Sequence, residues 1–106
     1  MFDDLKTAKD WAEKNKVPIF VGEFGSFGKF ATLEDRCRHA ETVYSALGKL
    51  KIPNAWWEWD GGFNRFKNGT TEISDCMRKA IDSFNVQTLP ASRNYSGQPY
   101  RLLSKN

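Results

Sequence analysis

Val17-Pro18-Ile19-Phe20-Val21-Gly22-Glu23-Phe24-Gly25 decides the fold. The apolar run at its start reads as a buried strand over 17–22, and a strand apolar on both faces suits a parallel sheet covered by helices. It delivers one carboxylate, Glu23, at its C-terminal end, with Gly22 and Gly25 leaving space for a turn or a close neighbour. Further along, Ala55-Trp56-Trp57-Glu58-Trp59 reads as a second strand-like segment ending in Asp60-Gly61-Gly62. A carboxylate at one strand end and an aromatic platform at the next are components of a sugar site at the C-terminal face of a (β/α) barrel.

Helices separate these strands. Phe2, Leu5, Ala8, Trp11 and Ala12 fall at helical spacing and predict a helix over 3–16, started by Asp3 or Asp4 and stopped by Pro18. Residues 24–31 read as a loop. Thr32-Leu33-Glu34-Asp35 resembles a capping box, opening a helix to about Lys49 with Ala40, Val43, Tyr44, Leu47 and Leu50 on one face. Asp60 to Asn64 is turn-rich, residues 63–66 suit a short extended piece, and Asn68-Gly69 signals a turn. Ser74-Asp75 can cap a last helix to about Phe84, with Ile73, Met77, Ala80, Ile81 and Phe84 inward. The order α-β-α-β-α implies a right-handed βαβ unit with parallel strands.

The chain has 106 residues. A complete (β/α)8 barrel takes about 250 residues, so the fold expected is a partial TIM barrel of class α/β. Two parallel strands leave faces and edges uncovered, and oligomerisation is one way to complete the ring. Residues 1–86 form the expected barrel piece, and 87–106, rich in Ser, Pro, Gly, Asn and Gln, an expected loosely docked tail. The formal charge is +3, and the unbalanced cations, Arg93, Arg101 and Lys105, lie in that tail without forming a basic stripe, which argues against nucleic acid. No apolar run approaches membrane-span length, and the acidic start, Met1-Phe2-Asp3-Asp4, does not read as a signal peptide. Cys37 and Cys76, on separate predicted helices without CxxC spacing, read as two separate thiols rather than a disulfide. His39 is the only histidine, no metal set emerges, and no cofactor is expected.

On Pro18 to Gly25, Leu33-Glu34-Asp35-Arg36, Ala55 to Trp59 and Phe63, residues 17–84 resemble the C-terminal part of clan A glycoside hydrolases of family 5, the cellulase and β-mannanase group. The resemblance implies a retaining β-1,4-glycanase. Glu23 would be the nucleophile attacking the anomeric carbon, and Trp57, Trp59 and Phe63 would bind a β-linked polysaccharide or oligosaccharide. By strand alternation Trp57 points to the side of Trp59, opposite Trp56 and Glu58. Arg36 matches a family arginine for which a fold-stabilising salt bridge is the expectation, and His39 stands where many family members have Trp. The family's acid/base, from an Asn-Glu pair, has no counterpart among these residues, so this stretch alone is expected to be inactive. A non-catalytic carbohydrate-binding or self-assembling partial-barrel module is the alternative. The resemblance implies a secreted or periplasmic bacterial parent.

Overall fold

The computed structural model describes residues 1–67 and 69–88. Their order is α1 (Phe2–Asn15), β1 (Val21–Phe24), α2 (Leu33–Leu50), β2 (Asn54–Trp56) and α3 (Asp75–Thr88). β1 and β2 pair in parallel, with α2 as the crossover, as the spacing implied. From residue 89 the expected tail lies outside the described residues, as does Asn68; Gly69, its expected turn partner, does occupy a turn at φ 72°.

α2 is the spine. Thr32 caps it, its hydroxyl accepting from the Asp35 N–H at 3.1 Å while donating to the Asp35 carboxylate at 2.9 Å. One face carries Cys37, Ala40 and Tyr44 into a cluster with Met77 and Ala80 of α3, and another carries Val43 and Leu47 onto Ile52. Phe24 and Phe84 pack against both clusters and join them. α3 begins as expected, the Ser74 hydroxyl accepting from the Met77 N–H at 3.3 Å, and runs one turn beyond the expected end. Phe66 and Ile73 form an isolated antiparallel bridge.

Three local expectations need correction. The first strand is not 17–22 but Val21–Phe24: Val17 and Phe20 are exposed, and the apolar run that looked like strand is mostly approach. Its register is also irregular, Val21 standing opposite Asn54 and Phe24 opposite Trp56, so three steps of β1 match two of β2. That extra residue breaks strict alternation. Val21 and Phe24 both face the core, and Gly22 and Glu23 are both exposed. The second strand ends at Trp56, so the alternation expected to sort Trp57, Glu58 and Trp59 has no strand to act on. At α1 neither Asp3 nor Asp4 caps the start; Met1 holds the cap position without a side-chain bond. Only Ala12 on that helix is fully buried, and Trp11 stays 58% exposed, because the described residues offer little for its apolar face to cover.

The cysteines are the largest correction. Cys37 and Cys76 form a disulfide, their Cα atoms 5.7 Å apart. Cys37 is the fifth residue of α2 and Cys76 the second of α3, so helix packing brings together residues 39 apart in sequence. Closing that loop removes unfolded-chain entropy worth on the order of 4 kcal/mol. Replacing both cysteines by serine is expected to cost about that much in chemical denaturation, and reduction of the unaltered protein should lower its midpoint similarly. An unchanged midpoint under both treatments would contradict a structural crosslink.

Candidate functional site

The site is built where β1 and β2 end. Phe24 fixes the end of β1: its ring meets Tyr44 edge-on at 5.2 Å and Trp56 at 5.1 Å between centroids. Glu23, one residue earlier in the bulged stretch, is exposed and has no hydrogen bond or ion pair among the described residues. The Phe24 carbonyl accepts from the Trp57 N–H at 2.8 Å, which carries the pairing one rung past β2 and sets Trp57 beside the strand end that bears Glu23. Among the three clustered tryptophans, Trp56 turns to the core, stacked on Tyr44 at 6.1 Å and held through its indole N–H by the Phe63 carbonyl. Trp57 is 46% exposed, and a cis peptide joins it to Glu58.

Two loops follow the strands and are locked together. Gly28 donates its N–H to the Gly62 carbonyl at 2.7 Å. The Phe27 and Phe63 rings lie 5.1 Å apart, and Phe27 continues to Phe30 at 5.6 Å. Arg36, 2% exposed, reaches from α2 under both loops and donates to the backbone carbonyls of Asn64 and, at 3.5 Å, Phe66. This corrects the expected salt bridge: among the described residues no acid pairs with Arg36, and burial lowers the pKa of its guanidinium. Nearby, burial raises the Tyr44 hydroxyl pKa, opposed by the Arg65 guanidinium at 3.4 Å.

The sequence-nominated residues therefore share one end of the sheet without forming a single cluster. Phe63 is half-buried against Phe27. Trp59 is 72% exposed and sits edge-on to Phe66 at 5.2 Å. No ring pair links Trp57, Trp59 and Phe63 to one another among the described residues. His39 is exposed on α2, its ring edge-on to Trp56 at 6.5 Å. The sequence reading missed Phe27, Lys29 and Phe30, which flank Gly28 on the first loop. Their signal was available: two phenylalanines in a glycine-containing loop, where no core awaits them, mark an exposed apolar surface.

At Gly25 the close neighbour is backbone. A Cβ there would run into the Trp57 backbone carbonyl, which cannot move without breaking the last rung of the sheet. Gly22, three residues earlier, would meet only the Phe20 ring, at 3.7 Å. Gly25→Ala is therefore expected to destabilise by about 2 kcal/mol in urea denaturation, with Gly22→Ala nearly neutral. Equal costs at the two positions would show that the Trp57 backbone does not press on the strand end.

No protein-family model matches the chain. Among curated proteins it is 30% identical over 81 residues to Endoglucanase 3 of Fibrobacter succinogenes, which covers 76% of this chain. Two solved structures also cover 76% of it: a hyperthermophilic endo-β-1,4-glucanase in complex with substrate (30% identity, TM-score 0.65), and Thermotoga maritima Cel5A in complex with mannotriose (29% identity, TM-score 0.64). The chain spans 12% of the curated relative's length and 26% of each of those structures.

Proposed function

From a chain homologous to endoglucanases over three-quarters of its length, with family 5 cellulases such as Cel5A as structural neighbours, we propose that these residues supply the nucleophile side of a retaining β-1,4-glycanase. The observation that carries the reading is Glu23 held exposed at the end of a parallel strand, beside a half-exposed indole, while Phe24 anchors the next position in the core. In this role the Glu23 carboxylate attacks the anomeric carbon, the leaving oxygen departs with a proton from a second carboxyl group, and a glycosyl ester forms on Glu23. Water, deprotonated by that second group, then releases the sugar with its configuration retained. The second group comes from sequence other than these residues, which contain no Asn-Glu pair. Trp57 offers an apolar face to the sugar ring next to the scissile bond, and Trp59 and Phe63 extend the surface.

Open sheet edges support the idea that more strands belong here. β1 and β2 are a two-stranded sheet, and among the described residues nothing pairs their outer edges. A parallel sheet needs cover on both faces, so further chain or further copies complete the ring. The self-assembling or purely carbohydrate-binding reading is the alternative, favoured by the exposure of Trp11 and Phe20. The disulfide supports action in an oxidising compartment outside the cytoplasm.

In the full-length protein, Glu23→Gln is expected to lower kcat on β-1,4-glucan by roughly 10³-fold or more, leaving oligosaccharide binding in place. Activity close to the unaltered protein's would remove Glu23 from the chemistry. Trp57→Ala should weaken cello-oligosaccharide binding by about 1–2 kcal/mol in titration calorimetry, whereas unchanged affinity would assign the indole to another surface.

A further inference from the structure

Between the two locked loops lies a cleft of about 370 Å³, lined by Gly28, Lys29, Arg36, Gly61, Gly62 and Asn64. Its charged lining consists of two cations and no acid. Arg36 is almost wholly buried, and its Nε–H has no acceptor among the described residues. A buried guanidinium facing only carbonyl dipoles keeps most of its desolvation cost, because no counter-charge repays it. Lys29 is exposed and makes no ion pair among the described residues; its Nζ lies 5.3 Å from the Phe30 ring centroid. Glu58 folds over Gly61, as the collision of a Cβ there with its carboxylate shows, yet it neither lines the cleft nor pairs with Arg36. Other acids do not fill the role: Asp35, close to Arg36 in sequence, is taken up by Thr32 and Arg38.

The cleft's edge is aromatic. Phe30 is 81% exposed and stands edge-on to Phe27, whose far side meets Phe63. A cation pair beside an exposed phenyl face suits a ligand with a negative charge at one end and an apolar C–H face at the other. A hexuronic acid residue has that form. We infer that the cleft between the 25–31 and 60–64 loops binds the carboxylate of an acidic sugar, with Arg36 and Lys29 supplying charge and Phe30 supporting the ring. The site would then take β-glycans carrying uronate units. The choice of a glycan as carrier rests on the proposed glycanase function; the cation-lined cleft does not.

The test is calorimetric titration of the full-length protein with methyl β-D-glucuronide and methyl β-D-glucoside, with acetate and inorganic phosphate as anion controls. The glucuronide is expected to bind more tightly than the glucoside and than either simple anion. Lys29→Gln, at an exposed position that leaves the fold intact, should weaken glucuronide binding by roughly fivefold to tenfold and leave the glucoside unaffected. In hydrolysis the same variant should lower kcat/KM on glucuronoxylan relative to unsubstituted xylan, chiefly through KM. Equal binding of glucuronide and glucoside, or no response to Lys29→Gln, overturns the inference. Acetate or phosphate matching the glucuronide also overturns it, as an adventitious ion only. Glucuronide binding without hydrolysis of any glycan would end the proposed catalytic function and leave the carboxylate cleft standing; hydrolysis without charge preference would do the reverse.

Discussion

Phe24 is the residue on which the arrangement turns. Its ring belongs to both apolar clusters, wedged between Tyr44 and Trp56, while its carbonyl holds the Trp57 N–H. A side chain anchored this deeply leaves its neighbour no freedom of placement. Glu23 must emerge at the strand end, and the bulge between Val21 and Phe24 keeps it out of the core. The same carbonyl draws the chain after β2 up against β1, so carboxylate and indole are brought together by a packing event rather than by contact with each other.

A second layer of constraint keeps the loops from splaying. Arg36 lies beneath them as a buried cation satisfied in part by two backbone carbonyls, and the Gly28 N–H crosses to Gly62. Charge–dipole bonds of this kind hold a loop at a fixed height without an acid that would neutralise the cation. The Cys37–Cys76 link then ties the N-terminal parts of α2 and α3, fixing the helix whose side chains close the core behind Phe24 and Trp56. Loop position and helix position thus depend on one element, α2.

The spine was legible in the sequence because its signals are local. Thr32 with Asp35 marks a helix start, and Ala40, Val43, Tyr44 and Leu47 keep a helical period that burial then satisfies. The parallel βαβ order followed from two strand-like runs flanking that helix. What stayed hidden was set by distant partners. The bulge at Gly22 and Glu23 depends on how β2 lies beside β1, and nothing in Val21 to Phe24 announces it. The ending of β2 at Trp56 likewise left Trp56, Trp57 and Trp59 as a set that no period could sort. The disulfide joins residues 39 apart, which become neighbours only when two helices pack. Arg36 looked like half of an ion pair since sequence shows charges, whereas backbone carbonyls, which bind it here, are invisible there.

The most direct measurement of the central claim is chemical trapping. A 2-deoxy-2-fluoro-β-cellobioside with a good leaving group slows breakdown of a glycosyl ester, so incubation with the full-length protein followed by peptide mass mapping locates the attacking carboxylate. The expected result is a single fluorosugar on the peptide containing Glu23, with loss of activity in proportion. Label on another carboxylate, or product formed with inverted anomeric configuration and no label at all, would contradict a nucleophile at the end of β1.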